Sequence, residues 1–307
     1  MTFQDVEMAR QAYAKKLKTI GLAIVGVSLM LIIASMTTGG DPFGTLIMLL
    51  PIVLVVLAVA LLLMNFINRK EANTYRQAYK SYFVEQNLQN VFTDLSYIHE
   101  MGISKQDIAA TDMVNTGSRY SANDFASGKY KDVSFSQSDV HIETEYTDSD
   151  GNTHYVTIFK GRFMIFEFPK QFNFRLGLAG KRFRAYKKPS KTQSTGRKMG
   201  KISTESGEFN KAFRVFGEDG FEAYYILDPA FMVKLMDIST RYKHATIFYF
   251  LNNRLIIGLD SGKDSFEPPF PFKPIDEAKE NAKVSTDIKT ITDFVEQLSL
   301  DRKLFKA

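Results

Sequence analysis

His141 and His154 are the side chains whose type and spacing most readily suggest metal chemistry, since they flank a predicted hairpin. Imidazole is a common zinc ligand, but ligands must converge on one ion. A two-residue turn at Asp150-Gly151 places His154 opposite Thr147 and His141 opposite Lys160. The two rings then lie about 20 Å apart at roughly 3.3 Å per strand residue. The sequence therefore predicts surface histidines and no metal site.

Asp148, Asp150 and Asn152 resemble the beginning of a calcium-binding loop. A loop of that kind beginning at Asp148 needs glycine at its sixth position and glutamate at its twelfth. Those positions hold Thr153 and Phe159, so the pattern favours an ordinary turn.

No arrangement typical of a catalytic centre is present. The chain has no cysteine, which excludes disulfides, thiol chemistry and thiolate metal sites. It also lacks a Ser-His-Asp spacing and a glycine-rich phosphate loop. Glu143 and Glu145 share a strand face that we interpret as solvated and not as an acid–base pair. We predict no catalytic, cofactor-binding or metal-binding residues and no cofactor, while an enzyme without a recognisable motif remains an alternative.

The tract Gly180–Lys201 carries a concentrated positive charge and no acidic residue, and its composition predicts a mobile loop. Near an anionic bilayer each Lys or Arg contributes about 1 kcal/mol of attraction. The candidate lipid-contact residues are Lys181, Arg182, Arg184, Lys187, Lys188, Lys191, Arg197, Lys198 and Lys201. A solvated loop without a specific role is the alternative. Nucleic acid is less favoured, because only Phe183 and Tyr186 are available for base stacking.

Two uncharged runs, Ile20–Met36 and Gly44–Ile67, predict a transmembrane helical hairpin with the short connection Thr37–Phe43. About 20 apolar residues match a hydrocarbon core of roughly 30 Å. Lys and Arg flank the outer ends of both runs, whereas Asp41 is the only charged residue of the connection. Positive charge marks the cytoplasmic side, so both termini are expected there.

Beyond the hairpin, the sequence pattern predicts an α+β arrangement with antiparallel strands. Apolar periodicity predicts a helix from Arg69 to about His99, whereas Ser104–Lys131 is polar and turn-rich. The predicted strands of the next part are Val133–Phe135, Val140–Tyr146, His154–Phe159 and, after a turn at Lys160-Gly161, Arg162–Phe168. The first hairpin would pair Tyr146 with Tyr155, Thr144 with Thr157 and Ile142 with Phe159. Since Arg162–Phe168 is apolar on both faces, it is expected to be central or covered by a helix.

The C-terminal part predicts a similar alternation of elements. Asp228 caps a helix that begins at Pro229. The other predicted elements are a strand at Lys211–Phe216, a hairpin of Ala245–Phe250 and Arg254–Leu259 around an Asn252-Asn253 turn, an extended Phe266–Pro274, and a closing amphipathic helix from about Thr286 to Leu300. The Phe side chains of Phe266–Pro274 are expected to cover a sheet edge, and binding to an aromatic groove is the alternative.

Several segments in this order resemble an uncharacterised bacterial membrane-anchored family, domain of unknown function 3137. The matching segments are Tyr120–Tyr130, Phe159–Phe168, Glu208–Pro229 and Asn253–Gly258, within roughly Glu71 to Leu300. The resemblance implies a bacterial cell-membrane protein with a cytosolic α+β domain. It supplies no catalytic residues.

The sequence thus predicts a membrane-anchored cytosolic binding or scaffold module. Its partners would be the lipid bilayer and a further protein, with no oligomeric state assigned. The predicted regions are an N-terminal segment (1–18), the hairpin (19–68, with spans at 20–36 and 44–67), a juxtamembrane helix (69–103) and an α+β domain (104–307), in which related halves at 104–180 and 202–275 flank the basic loop 180–201.

Overall fold

The computed structural model of the protein describes residues 1–37, 69–190, 198–218 and 220–300. These residues form the predicted α+β fold, with one seven-stranded antiparallel sheet and packed helices. The strands are β1 (Thr93–Ile98), β2 (Arg119–Tyr130), β3 (Val133–Thr147), β4 (Thr153–Gly180), β5 (Gly200–Lys201), β6 (Phe213–Gly217) and β7 (Thr246–Leu259). The helices within the described ranges are α1 (Phe3–Thr37), α2 (Arg69–Tyr79), α3 (Gln86–Gln89), α4 (Lys105–Ala109), α5 (Gly207–Ala212), α6 (Gly220–Ile226), α7 (Pro229–Arg241) and α8 (Glu277–Leu298), with a π-helical segment at Lys80–Glu85.

Strand β4 is the centre of the sheet, with neighbours β3, β6 and β7. Along the path of the sheet the strands follow the order β1-β2-β3-β4-β6-β5, and β7 pairs separately with β4. Both faces of β4 are buried from Phe163 to Phe166, which confirms the expectation of a central strand there. A strand that is covered on both sides tolerates no polar alternation, which explains its continuous apolar sequence.

The predicted turn at Lys160-Gly161 is wrong, because β4 runs through both residues without interruption. A Cβ atom on Gly161 would lie 2.0 Å from the carbonyl oxygen of Leu259. Glycine at this position therefore allows the backbones of β4 and β7 to approach closely, which is a common reason for glycine inside a strand.

The predicted hairpin at Asn252-Asn253 is also wrong, since β7 is one strand of 14 residues. Of these two residues only Asn252 has a positive φ, of 54°. A two-residue type I′ turn needs positive φ at both central positions. One left-handed residue produces a shift of register instead, and the pairing of β7 with β4 is irregular around the Phe172–Asn252 pair.

The β3–β4 hairpin forms as predicted, but its loop spans Asp148–Asn152 and is longer than two residues. Tyr146 consequently pairs with His154 and Glu145 with Tyr155, one residue away from the predicted register. An irregularity next to Ile142 restores the register, so the predicted pairs Ile142–Phe159 and His141–Lys160 are confirmed. The carboxylate of Asp148 accepts hydrogen bonds from two backbone amides of its own loop, which supports a turn in place of a calcium loop.

Two predictions for residues 69–131 are wrong. The helix does not continue to His99, because α3 ends at Gln89 and β1 follows. Phe92, which fits the helical spacing, packs instead on Phe135 of the sheet with ring centroids 4.5 Å apart. The polar stretch Ser104–Lys131 contains helix α4 and strand β2. Pairing with β1 on one side and β3 on the other stabilises β2 despite its weak apolar pattern.

The C-terminal predictions agree better with the structure. Asp228 caps α7, and its carboxylate accepts a hydrogen bond of 2.7 Å from the backbone amide of Phe231. Helix α8 begins earlier than expected, at Glu277, and buries the predicted apolar stripe: Ile288, Ile291, Phe294, Val295 and Leu298. These signals are local in sequence, so they do not depend on which strands pair.

The chain divides into two compact units. Unit 1 is Met1–Val84 with Glu267–Asn281, and unit 2 is formed by the described residues of Glu85–Phe266 and Ala282–Ala307. The predicted repeat depended on two hairpins, of which the one at Asn252-Asn253 is not formed.

The proline-rich segment has no regular secondary structure, and of its three Phe side chains only Phe266 is buried, with the guanidinium carbon of Arg162 4.7 Å from its ring centroid. Phe270 and Phe272 are exposed and contact each other in an edge-to-face geometry. Within unit 1, the carbonyl of Pro269 accepts a hydrogen bond of 3.0 Å from the Tyr75 hydroxyl, and that of Pro271 accepts one from Arg10.

Within unit 1, the ammonium group of the buried Lys80 forms an ion pair of 2.9 Å with Glu267. Burial raises the pKa of Glu267, but the charges of Lys80 and Arg76 and their hydrogen bonds to this carboxylate together outweigh burial, so the pKa is lowered.

In the part of the chain that the structure describes, no helix combines the length and the apolar character required to cross a membrane. The predicted span Ile20–Met36 lies in α1, and Gly44–Ile67 falls outside the described residues. The transmembrane hairpin therefore stays a prediction from the sequence.

Gly161→Ala should destabilise the sheet, because the new methyl group would meet the Leu259 carbonyl. Overpacking of this kind costs about 1–3 kcal/mol, measured as a lower urea midpoint of unfolding. Gly200→Ala is the matched control, since nothing lies within 4 Å of a Cβ there. Equal midpoints for the two variants would contradict the close approach.

Candidate functional site

The first half of the basic tract is fixed on unit 2, so the predicted mobile loop is wrong for residues 181–190. Phe183 and Ala185 are buried in the core. The backbone amide of Asn115 donates to the carbonyl of Ala185 at 2.7 Å, and that of Lys187 donates to Met113 at 2.9 Å. Two buried apolar side chains and these backbone hydrogen bonds therefore anchor this part of the tract on unit 2.

The nine predicted lipid-contact cations fall into three groups. Arg184 and Lys187 are bound by acids of unit 2, Arg184 by both oxygens of Asp260 and Lys187 by Asp112 at 3.1 Å. Lys191 and Arg197 lie outside the described residues. The other five are exposed: Lys181, Arg182, Lys188, Lys198 and Lys201.

Lys181, Lys201 and Arg214 form a cluster that we call the basic surface. Burial lowers the pKa of Lys181, and repulsion from Arg214 and Lys201 lowers it further. Among the described residues, none of these three cations has an acidic group within 4 Å. The basic surface therefore carries uncompensated positive charge that a multivalent anion could neutralise.

Arg214 was missed by the sequence analysis, because it lies outside the basic tract. It pairs with Ala179 in the β4–β6 ladder, two residues before Lys181. Its guanidinium donates to the carbonyls of Gly180 and Lys181 and lies 4.6 Å from the ring centroid of Tyr186. The signal that could have found it is the strand register, which the sequence alone does not define.

A second polar feature of unit 2 is a group of the buried Asp124 and Asp139 and the half-buried Asp264, whose nearest carboxylate oxygens lie within 4.8 Å of one another. Asp139 pairs with Arg162 across β3 and β4, with Nε and Oδ1 3.6 Å apart. The sequence analysis missed this group because its members are far apart in the chain.

This carboxylate group is better explained as a structural cluster than as a cation site. Asp124 accepts a hydrogen bond from Tyr97, and Asp139 accepts one of 2.9 Å from the amide of Ser265. The guanidinium of Arg162 already supplies a positive charge beside Asp139, where it would repel a metal ion. The cluster thereby attaches the segment after β7 to the sheet.

A cavity of about 390 Å³ lies beside this cluster. Arg162, Lys263 and Lys283 line it together with Asp264 and Asp287. Burial raises the pKa of Asp287, although the nearby charge of Arg162 opposes that shift. The mixture of cations and acids gives the cavity no clear charge preference, in contrast to the basic surface.

His141 and His154, the two histidines considered as metal ligands, have separate partners. His141 contacts the hydroxyl of Thr157 at 2.9 Å, whereas His154 contacts the carboxylate of Asp148 at 2.6 Å. Each ring is thus engaged by a separate neighbour on the β3–β4 hairpin.

A sequence model of the family described as "Protein of unknown function (DUF3137)" matches residues 157–300. The predicted resemblance to this family is confirmed. The DUF3137 match includes most of β4 and all of β6 and β7, together with the basic tract. It is narrower than the expected range from Glu71, and the segment Tyr120–Tyr130 lies outside it.

Comparison with curated proteins finds no match. Among solved structures, the chain is similar to the crystal structure of the mycobacterial trehalose monomycolate transport factor A, TtfA, with 9% identity and a TM-score of 0.35. The alignment covers 72% of this chain and 94% of that chain. At this level of similarity no property of that protein is transferred to this one.

Asp112→Asn should release the segment that follows Tyr186, because the buried carboxylate of Asp112 accepts from Ser190 and Lys187. Hydrogen bonds to a charged group contribute about 1.5–3 kcal/mol. We expect trypsin to cleave after Lys187 about tenfold faster, since proteolysis follows the population of the open form. Asp237→Asn, at an exposed position of α7, is the control. An unchanged cleavage rate would show that Asp112 does not hold the segment.

Asp287→Asn should stabilise the protein at neutral pH. Since burial raises the folded-state pKa of Asp287, the stability linked to its protonation is complete below the unfolded pKa and is lost as the pH rises through the folded one. The variant should therefore have a higher urea midpoint than the wild type at pH 7. The two midpoints should converge below a pH of about 4. If the difference between the two urea midpoints did not change with pH, the raised pKa of Asp287 would be excluded as its cause.

Proposed function

We propose that this protein is a membrane-attached binding module whose basic surface contacts anionic phospholipid headgroups. The observation that carries the proposal is the cluster of Lys181, Lys201 and Arg214, which the pairing of β4, β5 and β6 brings together and in which Arg214 donates a hydrogen bond to the carbonyl of Lys181. Each cation near an anionic leaflet contributes about 1 kcal/mol, and the attraction fades within a Debye length of roughly 8 Å. Such a surface acts only when the domain is already held near the membrane.

Attachment through the uncharged runs Ile20–Met36 and Gly44–Ile67 is the second part of the proposal. It is supported by the absence of charge in both runs and by the cations at their outer ends. In α1, Leu22 and Met30 are each 73% exposed and so are available to lipid. The same charge bias favours both termini in the cytoplasm. A bacterial cell membrane is what the resemblance to the DUF3137 family implies.

A scaffold role follows from this arrangement, because a module held at a membrane concentrates whatever protein it binds. Confinement near a surface converts weak contacts into effective ones without new interactions. We therefore expect a protein partner in the membrane or the cytosol. An enzyme at the inner leaflet is less favoured, since the cavity beside Arg162 contains cations and acids without a nucleophile–base pair.

The lipid contact can be tested on the full-length protein in nanodiscs. The chain has no cysteine, so Gly200→Cys, at an open position next to Lys201, provides a single site for a donor dye. Energy transfer to labelled lipid should be stronger with phosphatidylglycerol than with phosphatidylcholine alone, and high salt should reduce it.

The double variant Lys181→Gln/Lys201→Gln should lose about 2 kcal/mol of this attraction, or roughly 30-fold in the docking equilibrium. Lys105→Gln/Lys243→Gln is the matched control, since it removes two exposed cations elsewhere on unit 2. Equal transfer with both lipids would overturn the lipid contact. Tight binding of a single-stranded oligonucleotide through the same two lysines would favour the nucleic-acid alternative.

A further inference from the structure

Phe270 and Phe272, in the proline-rich segment of unit 1, form an exposed pair of aromatic side chains. They are 73% and 44% exposed, and their rings contact each other edge to face with centroids 5.2 Å apart. Single exposed apolar residues are ordinary, whereas contiguous exposed apolar surface is a candidate interaction site. We call Phe270 and Phe272 the aromatic pair.

The backbone that carries the aromatic pair is fixed on the helices of unit 1. The carbonyl of Pro269 accepts a hydrogen bond of 3.0 Å from the hydroxyl of Tyr75 in α2. The carbonyl of Pro271, a buried residue, accepts one from the guanidinium of Arg10 in α1. These two contacts lie on either side of Phe270, so the fold itself holds this ring in solvent.

The packing of α1 against α2 shows how far the aromatic pair lies from the first uncharged run. The two helices are antiparallel: Lys16 forms an ion pair of 2.5 Å with Glu71, and the ring centroids of Tyr13 and Tyr75 are 6.3 Å apart. Tyr75 is therefore level with a residue seven positions before Ile20, where the uncharged run begins. At 1.5 Å per residue this is about 10 Å along α1. The side chain of Tyr75 is also inclined toward the N-terminus of α2, the end that lies toward Ile20.

The proline-rich segment approaches this level and then turns away from it. Before the aromatic pair, Glu267 is bound by Lys80, and after it, Glu277 accepts a hydrogen bond from the hydroxyl of Tyr82. Lys80 and Tyr82 follow Tyr75 by five and seven residues, so both contacts lie farther from the uncharged run. The aromatic pair thus occupies the part of the segment that comes nearest to that run.

The charges at this level are those expected beside a membrane. Positions 10–19 carry four Lys or Arg and positions 69–76 carry three, against the single acid Glu71, which already forms an ion pair with α1. Such an excess of cations next to an uncharged run marks the cytoplasmic surface of a bilayer. The other acids of unit 1 that the structure describes lie farther from Ile20, earlier in α1, on side chains beyond Tyr75 or at the N-terminus of α8: Asp5, Glu7, Glu267, Asp276, Glu277 and Glu280.

We propose that Phe270 and Phe272 insert into the interfacial layer of the bilayer beside α1 and α2. The inference rests on the proposed attachment through the uncharged runs and adds to it a contact outside the helices. The interfacial layer is roughly 5–7 Å thick on each side of the hydrocarbon core. A Phe ring that projects from an anchored turn about 10 Å from Ile20 reaches this layer, where apolar side chains are partly removed from water. Insertion of the rings fixes unit 1 against the membrane surface.

The chain contains no tryptophan, so one introduced residue reports its own surroundings. Phe270→Trp in the full-length protein, reconstituted in nanodiscs, should emit at a shorter wavelength than the same variant denatured in urea. Lipids brominated near the headgroup end of the acyl chain should quench this emission. Met8→Trp is the matched control, because Met8 is 61% exposed in α1 but lies 12 residues before Ile20, about 18 Å along the helix. Its emission should not be quenched.

Two further variants keep the test decisive. Leu22→Trp lies inside the uncharged run, so the brominated lipids should quench it whenever α1 is attached to the bilayer. Phe272→Trp provides a second reporter of the aromatic pair if Phe270→Trp does not fold. The far-UV circular dichroism spectrum should stay unchanged in both Phe variants, since both positions are exposed.

The outcomes separate insertion from attachment. Quenching at position 22 without quenching at 270 or 272 would overturn insertion and leave the attachment standing. Absence of quenching at all three positions would overturn both. Equal quenching at positions 8 and 270 would reject the assignment of the membrane contact to the aromatic pair. A photoreactive phenylalanine analogue at position 270 that crosslinks to protein and not to lipid would assign the pair to an aromatic groove of a protein partner, against this proposal.

Discussion

The close approach of β4 and β7 at Gly161 is the constraint on which the sheet depends. Because glycine leaves room for the Leu259 carbonyl, β4 continues as one strand through the point where a side chain would interrupt it. Its 28 residues then serve three neighbours: β3 along the first half, β6 at the end, and β7 across most of the length. The side chains of β4 from Phe163 to Phe166, which alternate between the two faces of the sheet, are all buried.

The basic surface is a product of the same strand. Lys181 follows the last residue of β4, and the antiparallel register with β6 brings Arg214 opposite Ala179. Lys201 arrives through β5, which pairs with Phe216 of β6. Three cations from separate parts of the chain are thus gathered at one end of the central strand. Charge concentration here is a property of strand pairing and not of the basic tract alone.

Local signals predicted some elements well, and pairing determined the rest. Asp228 before Pro229 indicates the beginning of a helix, because its carboxylate accepts a hydrogen bond from a backbone amide only three residues later. The apolar stripe from Ile288 to Leu298 likewise indicates one buried helix face. Gly161 and Asn252 do not form turns, because each has a role within a strand that depends on its neighbour. Gly161 allows close approach to the Leu259 carbonyl, and Asn252, with its positive φ, lies where the register of β7 with β4 shifts. Strand β2 was missed for a related reason: its stability comes from β1 and β3, and not from its own composition.

In the candidate site, too, local sequence signals identified some residues, whereas tertiary contacts determined which of them are free of acidic partners. The sequence identified Lys181 and Lys201, but not Arg214, and it could not distinguish these cations from Arg184 and Lys187, which acids of unit 2 already bind. The acids in question, Asp260 and Asp112, are distant in sequence. Charge in a tract is visible from composition, whereas its neutralisation depends on tertiary contacts.

The Lys80–Glu267 ion pair has a consequence for the design of recombinant fragments. A shortened chain beginning after Val84 would keep Glu267, Pro269 and Glu280 while discarding their partners Lys80, Tyr75 and Tyr79. A carboxylate normally matched by a buried amine would then be left facing water or an apolar surface. Expression of the sheet without residues 1–84 would therefore also call for replacement of residues 267–281, because these two stretches form one compact unit although they are far apart in the sequence.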